Sequence, residues 1–166
     1  MKNEKYFLCV SRLVPYKRVD LVVKVFNKLG WKLKIAGTGS QEQELRRLAN
    51  KNIEFLGGDL TDSELAAYYQ ECSAFVAGGE EDFGIVALEA QAAGKPVICP
   101  RNSGMAETVI EGKTGELFDD DLVGALHKFR KKRYDSDLCR KNAEEFSVIR
   151  FQKEMREEVL RLSNKL

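Results

Sequence analysis

Apolar residues along this chain recur with two different periods, and the alternation between them lays out the fold. Tyr6-Phe7-Leu8-Cys9-Val10 is a continuous apolar run that reads as a buried strand, and Leu21, Val22, Val25, Phe26 and Leu29 follow at helical spacing. Trp31 to Ala36 starts a second unit, in which Gly37-Thr38-Gly39 makes the turn and Ser40 is expected to cap the next helix with Gln43 reaching back. Ile53-Glu54-Phe55-Leu56 is a third strand, and Thr61-Asp62-Ser63-Glu64 has the capping-box spacing that opens a third helix. Ala74-Phe75-Val76-Ala77 is a fourth strand ended by Gly78-Gly79, with a helix predicted to begin near Phe83. Val97-Ile98-Cys99 and Gly115-Glu116-Leu117-Phe118 are the fifth and sixth strands, separated by a short helix after Ser103. From Asp121 onward the pattern is helical, with breaks near Tyr134-Asp135-Ser136 and Phe146-Ser147.

Strands alternating with helices predict an α/β fold, a doubly wound parallel sheet of about six strands with right-handed crossovers and C-terminal helices. In such sheets ligands sit beyond the carboxyl ends of the strands. The loops Ser11 to Arg18 and Gly78 to Asp82 both open on that edge, so Arg12 and Lys17 face the helix that starts after the second loop. Two cations opposite a helix N-terminus would hold a diphosphate, the guanidinium as a planar fork and the ammonium as a point charge. The alternative is that they neutralise Glu80, Glu81 and Asp82. The free N–H groups of Phe83, Gly84 and Ile85 at the helix start add an anion site that fits a phosphate.

Glu89 stands inside the stripe formed by Ile85, Leu88 and Ala92, with Val86, Ala90 and Ala93 on the other sides, so the helix is expected to be buried nearly all round. An ionised carboxylate in such a place needs a partner, either an internal salt bridge or ligand hydroxyls. Helical rise puts the backbones of Glu81 and Glu89 roughly 12 Å apart. Hydrolases that retain configuration hold their two carboxyl groups about 5 Å apart, so two grips on one elongated ligand is the simpler inference.

The bulk properties narrow the class. At 166 residues the chain is expected to be a single domain (1-166) with a full core, and 27 basic against 26 acidic side chains give no reason to expect nucleic acid. The basic run Lys128 to Arg133 reads as a solvated helix face. No apolar run approaches the roughly 18 residues of a membrane span, and the N-terminus lacks a signal-peptide core. Cys9, Cys72, Cys99 and Cys139 have neither metal nor redox spacing, which fits buried free thiols in a reducing cytoplasm.

Several motif-like stretches carry no chemistry. In Gly37-Thr38-Gly39 the third glycine of a dinucleotide fingerprint is replaced by Glu42, which leaves a tight turn whose Gly37 backbone can touch a ligand. Gly112-Lys113-Thr114 lacks the leading glycine of a phosphate loop, since Glu107 stands there, and a strand follows it. Acids at Asp119-Asp120-Asp121 are expected from capping and the helix dipole alone. His127, the single histidine, falls mid-helix and is assigned no catalytic role.

Taken together, Ser11-Arg12-Leu13-Val14-Pro15-Tyr16-Lys17, Ile35-Ala36-Gly37-Thr38-Gly39, Ile53-Glu54-Phe55-Leu56-Gly57, Glu81-Asp82-Phe83-Gly84-Ile85 through Glu89-Ala90, Ala93-Gly94-Lys95-Pro96-Val97-Ile98 and Glu111-Gly112-Lys113-Thr114-Gly115 resemble the donor-binding half of GT-B glycosyltransferases of family 4. The likeness runs over nearly the whole chain and is nearest to mannosyltransferases of polysaccharide assembly. It implies a Rossmann-like domain that takes a nucleoside-diphosphate sugar, GDP-mannose by preference, and transfers the sugar with retention to an acceptor hydroxyl without cofactor or metal. Arg12 and Lys17 would stabilise the departing diphosphate and Glu81 would hold sugar hydroxyls. The amides of Phe83, Gly84 and Ile85 would contact sugar or phosphate, Glu89 would bind the ribose, and residues around Gly57 to Leu60 would line the base.

The departures from the family pattern are specific. Ser11 and Arg18 stand where many members have glycine, and Asp82 replaces the common glycine after Glu81. The N-terminal acceptor-binding domain of such enzymes is absent from the sequence, so an acceptor-binding domain or subunit is an expected partner. Through it the protein would sit in the cytoplasm or against the inner membrane face. The segment Phe146 to Leu166 resembles the helix that packs on that other domain, and its stripe of Phe151, Met155, Val159 and Leu162 is a candidate for self-association. The alternative to a transferase half is a stand-alone sugar-nucleotide-binding module.

Overall fold

Six parallel strands form the centre of the computed structural model, which describes residues 5–163: β1 (Phe7–Val10), β2 (Leu33–Ala36), β3 (Ile53–Gly57), β4 (Ala74–Val76), β5 (Val97–Pro100) and β6 (Gly115–Phe118). Their order across the sheet is β3-β2-β1-β4-β5-β6, the doubly wound arrangement expected from the sequence. β1 is apolar throughout because both its faces are covered. Phe7 and Cys9 point into one core with Val22, Phe26, Leu122 and Leu126, while Tyr6 and Leu8 point into a second with Tyr69, Ala87 and Ala90.

The first core lies under α1 (Val19–Leu29) and α5 (Leu122–Arg130), the second under α3 (Asp62–Glu71) and α4 (Ile85–Ala92). α2 (Glu42–Leu48), α6 (Ser136–Glu144) and α7 (Val148–Ser163) complete the helices, with 3-10 turns at Pro15–Lys17 and Gly104–Thr108. Thr61 and Glu64 form the expected capping box, in which Thr61 Oγ1 accepts from the Glu64 N–H at 3.3 Å and the Glu64 carboxylate accepts from the Thr61 N–H at 2.8 Å. Asp121 caps α5 by accepting from the Gly124 N–H at 2.8 Å. All four cysteines are buried free thiols, and burial pushes Cys9 up to about 12.

Three expectations are corrected. Ser40 does not cap α2, which starts at Glu42 with no side-chain cap bond. Backbone takes over that task, since the Gln41 N–H donates to Leu13 O at 2.9 Å and the Glu42 N–H to Gly39 O at 3.1 Å. α4 starts at Ile85, close to the expected Phe83, but it is not buried all round. It rests on the sheet through the short side chains of Ala87 and Ala90, with Gln91 beside them, which turns Ile85, Glu89 and Ala92 outward; Ile85 is 65% exposed. The basic run Lys128 to Arg133, which straddles the end of α5, is more than a solvated face. Lys128 and Lys132 each place Nζ 2.6 Å from the carboxylate of Glu116, which is fully buried on β6, and Tyr134 donates to the same group.

The C-terminal break near Ser147 is present, and α7 is exposed along its whole length, including Phe151 and Val159 of the apolar stripe. Among the described residues no helix is long and apolar enough to cross a membrane.

Two loops meet closely where β1 and β4 end. A Cβ on Gly79 would lie 2.2 Å from Tyr16 O and 2.5 Å from the Lys17 carbonyl carbon, so only glycine lets the chains approach this far. Gly79→Ala is expected to lower stability by about 1–3 kcal/mol by forcing these backbones apart, read from the midpoint of urea unfolding.

Glu116 predicts an acid dependence. Burial opposes its ionisation, but hydrogen bonds from Lys128, Lys132 and Tyr134 outweigh that and hold its carboxyl below the usual glutamate range. A depressed folded value contributes stability that is complete above the unfolded value of about 4.3 and is lost as pH falls through the folded one. Glu116→Gln should therefore cost about 2 kcal/mol in urea unfolding at neutral pH and flatten the decline in stability below about pH 4.

Candidate functional site

The strand order reverses direction between β1 and β4, and a cleft of about 550 Å³ opens on the carboxyl edge there. Ser11, Arg12, Tyr16 and Lys17 line it from the loop after β1, Gly37 and Thr38 from the loop after β2, Gly57 and Gly58 from the end of β3, and Glu80, Glu81 and Asp82 from the loop after β4. Arg12, Lys17, Glu81 and Gly37, four predicted site residues from three separate loops, are thus brought together.

Lys17 is the best-buried cation of the group, with its side chain only 10% exposed. Its Nζ lies 2.5 Å from Glu81 Oε1 and donates to Glu80 O at 3.1 Å. It also sits 4.9 Å from the centroid of the Tyr16 ring, within cation–π range. Lys17 thus neutralises Glu81, as the second sequence reading expected. Arg12 does not join in. Its guanidinium donates to the Tyr16 hydroxyl and lies 6.0 Å from that ring's centroid, which leaves a cation facing the cleft.

The backbone of Glu81 is fixed from the far side. Its N–H donates to Ser103 Oγ at 3.2 Å, and its C=O accepts from the Gly104 N–H at 2.8 Å. Asp82 is exposed at the cleft rim, which relieves the repulsion its charge would cause deeper in. Beyond it, Gly84 takes φ 85, the left-handed region, and a Cβ there would meet Met105 Cγ at 2.1 Å. That turn starts α4. Among the described residues the N–H groups of Phe83, Gly84 and Ile85 donate to no backbone carbonyl, so they are available at the helix start next to Glu81. The Phe83 side chain points outward and meets Phe146 edge-on at 6.2 Å.

Glu89 lies elsewhere. It is exposed and lines a neighbouring cleft of about 340 Å³ between α3 and α4, along with Asp62, Leu65, Ala66, Tyr69 and Gln70. Its protein partner is a phenol in place of a cation, since the Tyr69 hydroxyl donates to Oε2 at 2.9 Å. Leu65 lines both clefts. Sequence reasoning missed Tyr16 and Ser103. Tyr16 was signalled by an aromatic set between two cations, whereas the bond from Glu81 to Ser103 spans 22 residues and had no local signal.

Comparison with known proteins gives concordant results. The family model of glycosyl transferases group 1 matches residues 1–146. A GDP-mannose-dependent monoacylated alpha-(1-6)-phosphatidylinositol monomannoside mannosyltransferase of Corynebacterium glutamicum is 40% identical over 147 residues, covering 80% of this chain and 38% of that protein. A GDP-mannose-dependent alpha-(1-6)-phosphatidylinositol monomannoside mannosyltransferase of Mycolicibacterium smegmatis is 34% identical over 137 residues, covering 72% and 36%. The chain spans less than half the length of these curated relatives. Among solved structures, Anabaena HepE in complex with UDP and glucose superimposes with a TM-score of 0.72 at 19% identity, over 98% of this chain and 49% of that one. That likeness concerns the fold, which is the GT-B glycosyltransferase type. With most of its length matched by the family model, the chain belongs to the glycosyl transferases group 1.

Proposed function

We propose that this chain is the donor-binding half of a retaining glycosyltransferase that moves a sugar, mannose in our reading, from a nucleoside diphosphate to an acceptor hydroxyl in glycan or polysaccharide assembly. The observation that carries this is the convergence of Arg12, Lys17 and Glu81 on one cleft at the reversal of strand order. The Corynebacterium and Mycolicibacterium relatives, both GDP-mannose-dependent mannosyltransferases, support GDP-mannose as the donor. An acceptor-binding domain or subunit supplies the acceptor in this reading and carries any attachment to the cytoplasmic membrane face, whereas the donor site is formed by this chain.

The chemistry follows from where charge develops. As the bond from the anomeric carbon to the diphosphate oxygen breaks, its electron pair stays on the diphosphate. The acceptor oxygen forms the new bond to the anomeric carbon and passes its proton to the departing diphosphate oxygen, so atoms and charge balance. Arg12 and Lys17 face the growing negative charge, and stabilising charge that appears only in the transition state speeds the reaction. Lys17, shared between Glu81 and the arriving phosphate, frees Glu81 lone pairs for sugar hydroxyls. The amides of Phe83, Gly84 and Ile85 hold phosphate or sugar at the α4 start, and Glu89 takes the ribose hydroxyls.

Calorimetric titration of the chain with GDP-mannose, GDP and UDP-glucose tests the reading. GDP-mannose and GDP should bind, and Lys17→Ala should weaken both about tenfold or more, the loss of one charge-assisted hydrogen bond. No binding of any of the three to the folded chain would overturn the donor site. Saturable binding of UDP-glucose alone would replace mannose and guanine in the reading while keeping the site.

Glu81→Gln separates the sugar from the diphosphate. It should weaken GDP-mannose about tenfold yet leave GDP as tight or tighter, because Lys17 is then released to the phosphates. Equal loss for both ligands in the same titration would assign Glu81 to the cleft's structure and not to the sugar.

A further inference from the structure

The hydroxyl of Tyr69 is a buried polar group to which the donor-site reading gives no task. Its ring packs in the core beneath α3 and α4, 3% exposed and 6.4 Å from the Phe75 ring. Phenylalanine would fill that space equally well, so packing does not call for the oxygen. The oxygen donates to Glu89 Oε2 at 2.9 Å, at the wall of the cleft between the two helices. Burial and the adjacent Glu89 charge push the phenol above its ordinary range, which keeps it a donor at any working pH.

Glu89 needs such a hold. An exposed glutamate on a helix samples several rotamers, and immobilising it on a ligand costs entropy at the moment of binding. The Tyr69 bond fixes one carboxylate oxygen from a ring that cannot move, and leaves Oε1 to accept from an incoming hydroxyl. Leu65, the wall common to both clefts, lies between the Arg12 and Lys17 end and Glu89, so a ligand spanning the two must pass it.

We propose that Tyr69 is a positioning residue that holds Glu89 Oε2 so that Oε1 meets the ribose hydroxyls of the donor nucleotide. This rests on the donor-site reading above, in which Glu89 grips the ribose.

The test is calorimetry of the full chain with GDP and UDP and with their 2′,3′-dideoxy forms, with thermal unfolding to verify folding. The wild-type chain should bind its preferred ribonucleotide more tightly than the dideoxy form. Tyr69→Phe, which keeps the ring, should weaken the ribonucleotide about fivefold and leave the dideoxy form within about twofold. Added to Glu89→Ala, it should change neither. Equal weakening of both forms by Tyr69→Phe, or no weakening, would overturn the inference and reduce the bond to a tie between α3 and α4. If Glu89→Ala binds both forms as the wild type does, or the wild type binds none of the four, it is the donor-site reading itself that fails, and the inference falls with it.

Discussion

Everything at the candidate site depends on β4 lying beside β1. β1 pairs with β2 on one edge and with β4 on the other, Phe7 facing Leu33 and Ala74, so the strand order turns back at this point. The helices that follow the two strands therefore leave to opposite faces, α1 over one core and α4 over the other. Among the described residues no helix closes the edge between them, and a cleft is left where the loops emerge. How tightly the loops approach is then set by Gly79, which lets the Tyr16–Lys17 backbone come within the space of a missing Cβ. That approach brings the Lys17 ammonium to the Glu81 carboxylate.

Glu116 and Glu81 are both held by lysines, and their surroundings give the two carboxylates different roles. Glu116 is fully buried with Lys128, Lys132 and Tyr134 around it, so its bonding capacity is largely spent on the fold. Glu81 has one lysine partner, keeps a quarter of its side chain exposed, and opens on the cleft. An ion pair with that much solvent contributes about 1 kcal/mol or less to stability, so its placement matters more than its strength. Only the second carboxylate can exchange partners without unfolding something.

The strands were legible because sheets covered on both faces demand continuous apolar runs, and the runs at Tyr6 and Ala74 have no other use. Arg12, Lys17 and Glu81 were legible through the rule that loops at the carboxyl edge converge. Glu89 was misplaced because periodicity counts Ile85 and Leu88 as core, whereas close approach of α4 to the sheet selects the small Ala87 and Ala90 instead. The Glu116 network was hidden because its partners lie 12 to 18 residues further on, in the last turn of α5 and just after it. Arg18 was noted only as a departure from glycine, and the structure gives the reason that position favours glycine: it takes φ 48, in the left-handed region.

Backbone and side chains at the cleft are held by different means. The Glu81 backbone is pinned through Ser103 and Gly104, and the Lys17 backbone is set by its contact with Gly79. The charged ends are held by groups that a ligand can replace, Lys17 by Glu81 and Arg12 by the Tyr16 hydroxyl. A diphosphate entering such a site would take over hydrogen bonds from one carboxylate and one phenol hydroxyl, each a poorer partner for a cation than the diphosphate itself. The rigid part supplies preorganisation, which lowers the ordering cost of binding, and the exchangeable part keeps the cations from standing unpaired before the ligand arrives.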